Sequence, residues 1–274
     1  MAHAPLRVGV VQFTPYHGRP EESRKKSLSK RLQCYTLMGF PEVVKSSPKS
    51  STGAEVPVVS PPFDARPIPS PSPAPPSYPA YYNSALLTSP TGQVLHSFRK
   101  HFLFQADESW SLEGPGFQHI DLPPPLGRLA VAICMDLNPY RFETPWEKME
   151  LTRWCEEQEV QTLVMPMAWL RGEVEGSEGK IGQGGEGEVN LNVVNYWAGR
   201  CEPFWEKRSE GGRPARQTLF VTSNRTGTEG DSTFAGTSSV LLFEHGKRPE
   251  LLACMGETQE GLLHCDTNRD KDKV

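Results

Sequence analysis

Gly127-Arg-Leu-Ala-Val-Ala-Ile-Cys134-Met-Asp136-Leu-Asn-Pro-Tyr140 is the stretch whose reading decides the fold. Leu129 to Ile133 is a continuous, β-rich apolar run, which predicts a strand buried on both faces rather than a half-exposed one. The run stops at Cys134, and Asn138-Pro139 turns the backbone soon afterwards. In open α/β sheets catalytic groups collect at the carboxyl ends of strands, so Cys134 is a candidate nucleophile. A buried structural thiol is the competing reading, since free cysteine is among the most buried residue types.

Strands and helices alternate on either side. Leu6 to Phe13 reads as a strand, the charged stretch Arg19 to Lys30 as a short solvated helix, and Cys34 to Phe40 as a second strand closed by Pro41-Glu42. That order makes one compressed crossover unit and predicts parallel pairing of the two strands. Tyr81 to Thr88 and Val94 to Arg99 form a hairpin through Ser89-Pro-Thr-Gly92. Thr144-Pro145 with Glu147 predicts a helix start that runs to Glu157. Val160 to Pro166 and Leu219 to Asn224 follow as strands, with a short helix between Asn190 and Phe204. Late strands lie at Ser238 to Phe243 and Leu251 to Cys254.

The 274 residues suffice for one large α/β domain, placed at 6–266. Not all of the chain joins its core, because only 36% of residues are hydrophobic and the mean hydropathy is -0.50. Ten of the 23 residues from Pro57 to Pro79 are proline, so the segment 46–79 is expected to be a Ser/Pro-rich surface insertion. Residues 172–188 hold seven Gly and five Glu, a flexible acidic loop, and 267–274 is a charged tail. The net charge of -4 gives no footprint for nucleic acid or an anionic membrane surface. Six dispersed cysteines without a C-x-x-C pair suggest neither a zinc site nor a disulfide framework, and they fit a reducing, cytoplasmic setting. Gly179-Lys180 is not a P-loop, and no G-x-S-x-G elbow occurs.

A second strand end carries chemistry. The hairpin runs into Lys100, flanked by apolar and aromatic residues, with Glu108 eight positions on. A lysine that snorkels to the surface is the plain reading. A thiol, an ammonium and a carboxylate brought together would suit amide or nitrile hydrolysis through a thioester, the ammonium stabilising the oxyanion.

At these residues the chain resembles the nitrilase superfamily of carbon–nitrogen hydrolases, and within it the fungal protein N-terminal asparagine/glutamine amidohydrolases. The matching stretches include Gln33 to Glu42, Tyr82-Asn-Ser-Ala85, Phe98-Arg-Lys-His-Phe-Leu-Phe104, Ile133 to Phe142, Pro166-Met-Ala-Trp-Leu170, Val194-Asn-Tyr-Trp197 and Asn224-Arg-Thr-Gly227, in family order. The resemblance implies an α/β fold of the αββα sandwich type and no cofactor or metal. It implies deamidation of protein or peptide N-termini bearing Asn or Gln, with ammonia release, as in an N-degron pathway. Cys134 would be the nucleophile, Lys100 the oxyanion-stabilising lysine and Glu108 the supporting glutamate, and Asp136 is the candidate, on charge grounds, for holding the substrate's α-amino group. The family's general base sits in a Leu-Pro-Glu strand end between the first strand and the Cys34 strand. Here only about 20 residues separate those strands, where two βα units take roughly 30 each, so an early strand-helix unit is missing. Glu42 is one substitute for the base. A chain that binds without turnover and a hydrolase of small amides are the alternatives.

Overall fold

In a computed structural model of the chain, residues 6–12, 32–45, 79–172, 187–207 and 215–267 are described. The charged stretch at 19–30 and nearly all of the insertion, the acidic loop and the tail lie outside them.

The Cys134 stretch builds the centre. Strand β6 (Gly127–Val131) pairs in parallel with β7 (Thr162–Met167), and β7 in parallel with β8 (Gln217–Asn224). Antiparallel β5 (Gln118–Leu122) borders β6, while β11 (Ser239–Glu244) and β12 (Glu250–Cys254) extend the other side into a six-stranded sheet; the two-residue strands β9 (Thr228–Glu229) and β10 (Ser232–Thr233) pair with each other. The strand expected over Leu129 to Ile133 begins two residues earlier. Its ladder ends at Val131, although Ala132 still donates to the Val164 carbonyl.

One face of this sheet is covered by helices α2 (Glu150–Glu157) and α3 (Leu191–Arg200). Leu151 and Cys155 of α2, four apart, and Val193, Val194 and Trp197 of α3 form the apolar stripes. They bury against Leu163, Met165, Phe220 and Phe243. Each such side chain stabilises the layer by about 1.5–3 kcal/mol in transfer free energy.

The opposite face carries two smaller sheets. The hairpin β3 (Ala80–Thr88) and β4 (Val94–Arg99), as expected from Ser89-Pro-Thr-Gly92, packs Ala85, Leu87 and Phe98 on Leu129 and Val131. Ser89 Oγ accepts from the Thr91 and Gln93 amides, and Gly92 supplies the φ of +84° that the turn needs. Strand β2 (Thr36–Val44) lies on the outer side of β3 and runs through Pro41, which an edge position tolerates. Strand β1 (Arg7–Gln12) pairs with the last strand, β13 (Gly261–Asp266), and packs Val10 on Leu219, Val221 and Val240. A helical layer, the six-stranded sheet and this second β layer give the α/β sandwich.

Two expectations need correction. The first two strands are not a parallel pair: β1 is antiparallel to β13 and β2 antiparallel to β3. The helix expected from Thr144 is broken. A short 3₁₀ turn at Trp146–Lys148 ends at Met149, buried in a left-handed conformation (φ +42°), and α2 starts only at Glu150. The Thr144 hydroxyl, instead of capping a local amide, donates to the Glu150 carboxylate, which also accepts from the Tyr140 amide. No helix among the described residues is long and apolar enough to cross a membrane.

Candidate active site

Cys134 follows β6 with a φ of +47°, a left-handed backbone that costs a non-glycine residue about 1–3 kcal/mol. Asp136 maintains this turn. One carboxylate oxygen accepts from the Ile133 amide at 2.7 Å; the other accepts from the His101 and Phe102 amides at 3.1 and 2.7 Å. A single buried side chain thus fastens the cysteine turn to the segment that leaves β4 through Lys100. Burial pushes the Asp136 carboxyl up, and the amide donors and Lys100 oppose that shift.

Lys100 is 3% exposed. Its ammonium pairs at 2.5 Å with Asp107, on the four-residue helix α1 (Gln105–Glu108). Asp107 also accepts from the Phe104 amide and the Asn83 side chain, at 2.9 and 3.0 Å. The Lys100 carbonyl takes the Gly114 amide, and a Cβ on Gly114 would fall 2.5 Å from the Arg99 carbonyl oxygen, so only glycine fits there.

Burial pushes the Cys134 thiol up. The Lys100 ammonium and the Ala168 backbone pull it down, and the charges of Asp107 and Asp136 add to the upward shift. Thiol and lysine therefore sense each other, while at neutral pH the sulfur keeps its proton.

A cavity of about 400 Å³ opens against Cys134, with Phe142, Trp169, Arg171, Asn190 and Tyr196 on its walls. Trp169 and Arg171 come from the segment after β7, whose Leu170 bridges to Phe234. Asn190 caps α3 by accepting from the Val193 amide, and its amide group donates to Glu257, which pairs with Arg171 at 3.0 Å. The Tyr196 hydroxyl donates to Asn138 at 2.6 Å. Arg200, buried on α3, donates to the Leu137 and Trp146 carbonyls at 2.7 Å each, which fixes the cavity's helical wall to the cysteine turn.

The structure brings Cys134, Lys100 and Asp136 together and leaves Glu108 out. Glu108 is exposed on α1, and the carboxylate that meets the lysine is its neighbour Asp107. Asp136 is buried behind the cavity wall with both oxygens occupied by backbone amides, so it presents nothing to a substrate amine. Glu42 is no free base either. It holds Arg99 through two oxygens at 2.8 and 3.0 Å and accepts from Ser84 at 2.7 Å, and these bonds lower its pKa. Among the described residues no group of three or more His, Cys, Asp or Glu could hold a metal ion.

No protein-family model matches the chain. It is 28% identical over 233 residues to a protein N-terminal amidase of Schizosaccharomyces pombe, covering 81% of this chain and 66% of that protein. It is 27% identical over 170 residues to a protein N-terminal amidase of Saccharomyces cerevisiae, covering 55% of this chain and 30% of that protein. The chain thus spans just under two thirds of the first relative's length and less than a third of the second's by these alignments. Among solved structures it resembles an N-terminal amidase with an Asn-Glu peptide (TM-score 0.73, 18% identity, 96% of this chain and 97% of that one). It also resembles an N-terminal amidase with a Gln-Val peptide (TM-score 0.71, 18% identity, 97% and 99%). In sequence the chain is similar to the protein N-terminal amidases of the two yeasts, and its α/β fold is the one that the solved N-terminal amidases display.

Proposed function

We propose that the chain hydrolyses the side-chain amide of an N-terminal Asn or Gln on a peptide or protein, yielding Asp or Glu and ammonia. One observation carries this: Cys134, on a left-handed turn, faces the cavity, and Asp136 ties that turn to the segment that carries Lys100, itself fixed by Asp107. The relatives' names and the peptides in the solved structures supply the substrate class.

In this reading the Cys134 sulfur attacks the amide carbon, a C–S bond forms, and the carbonyl oxygen gathers negative charge that the Lys100 ammonium stabilises. Collapse breaks the C–N bond, and ammonia leaves with the proton that the thiol gave up. Water then adds to the thioester, the C–S bond breaks, and the carboxylic acid departs as the thiol regains a proton. The thiol's proton requires an acceptor, because burial keeps it bound at neutral pH. Among the described residues no carboxylate is hydrogen-bonded to Cys134, and Asp107, Asp136 and Glu42 are engaged as described. That observation favours a second reading, a chain that binds N-termini without turning them over.

Ammonia release from peptides beginning with Asn or Gln decides between them. The first reading expects release above a Cys134→Ala control; release equal to that control removes it. Release from free amides alone would make the chain a small-amide hydrolase. We also place the protein in the cytoplasm, a setting supported by its free thiols.

A further inference from the structure

An enzyme that acts on N-terminal residues must distinguish a free α-ammonium from an acylated one, and the usual partner for an ammonium is a carboxylate. Among the described residues, none on the cavity wall is acidic. The acids closest in the hydrogen-bond network are all occupied: Asp136 by three backbone amides, Asp107 by Lys100, and Glu257 by Arg171 and Asn190. Arg171 on the wall adds positive charge that opposes an ammonium beside it. The Asn138 and Asn190 amide oxygens on the wall already accept from Tyr196 and the Val193 amide, and beside the Asn192 amide what the wall offers a cation is aromatic. The Trp169 and Tyr196 rings stand 5.5 Å apart at 54°, a corner with two π systems.

We propose that the Trp169–Tyr196 corner is the subsite for the substrate's α-ammonium, selecting a free N-terminus by cation–π attraction. The proposal rests on the amidase reading for its ligand. An ammonium over a desolvated ring gains enough to discriminate at least about tenfold against an uncharged group. Trp169 and Tyr196 also pack against the main core, so stability alone does not test the subsite.

The test uses the full chain carrying Cys134→Ala, titrated with the tripeptide Asn-Gly-Ala and with its N-acetylated form. The expected result is at least tenfold tighter binding of the free amine. That ratio falls below threefold in Trp169→Leu and in Tyr196→Leu, and is kept in Trp169→Phe and Tyr196→Phe, with circular dichroism confirming the fold. A ratio unchanged in both leucine variants, or no preference in the parent, overturns the proposal. Ammonia release by the chain with Cys134 intact is scored separately. Turnover with an unchanged ratio removes the subsite and leaves the function; the expected ratios without turnover remove hydrolysis and leave the subsite.

Discussion

The Lys100 ammonium and the Asp107 carboxylate lie 2.5 Å apart, with side chains 3% and 10% exposed. Taking one partner from a buried pair leaves the other charge uncompensated, a loss of about 3–5 kcal/mol. Asp107→Asn should therefore destabilise the fold by that order and abolish most ammonia release, whereas Glu108→Gln, on the exposed side of α1, should shift stability by less than about 0.5 kcal/mol. Urea denaturation of both variants checks this. Equal effects would mean that Glu108 shares the lysine.

Asp136→Asn tests whether that carboxylate is a brace or a substrate ligand. The brace links the Cys134 turn to the Lys100 segment through three amides. Its loss should lower turnover of free amides and of N-terminal peptides by the same factor, with kcat falling more than KM rises. A defect confined to peptides would return Asp136 to the role of amine ligand.

Glu42 is held ionised by Arg99, with its pKa lowered. Its contribution to stability is thus present above the unfolded carboxylate range and lost as pH falls through the lowered folded value. Glu42→Gln should cost about 1.5–3 kcal/mol at neutral pH, and its stability should converge with the parent's in acid. Corrected for folded fraction, ammonia release should change less than about fivefold, since losing a general base costs about 10²–10⁴. A loss of the larger size would identify Glu42 as the base after all.

Because burial raises the Cys134 pKa, its thiolate should form only above the ordinary thiol range near about 8.5. Iodoacetamide labelling of Cys134, followed by mass spectrometry, should be slow at pH 7 and still climbing beyond pH 9. A labelling rate that levels off below pH 8 would show that Lys100 outweighs desolvation.

The parts of this site that sequence exposed were those where one residue interrupts a strong local pattern. Cys134 follows an apolar run and Lys100 follows the second strand of a hairpin, and the structure has both just past their strands. Adjacent acids were harder: Asp107 and Glu108 have the same charge, and only the four-residue turn of α1 decides which one points at the lysine. Thr144 and Pro145 carry the local signature of a helix start, but the Glu150 carboxylate recruits the threonine and Met149 breaks the turn. The pairing of β1 with β13 depends on a partner at the far end of the sequence, which periodicity cannot register. Arg171, Asn190 and Arg200 read as ordinary polar positions because their partners, Glu257 and the Leu137 carbonyl, are distant in the chain.

The β1–β13 pair also fixes a schedule for biosynthesis. Leu6 and Thr267, which bond across its end, are 261 positions apart. At a translation speed of about 5–20 residues per second, the first strand waits roughly 13–52 s before its partner has been made. The β3–β4 hairpin is synthesised early in that interval, whereas β12 precedes β13 by only a few residues. Until β13 emerges, the backbone ladder of β1 has no strand among the described residues to pair with, and a ribosome that stalls before Gly261 leaves β1 unpaired.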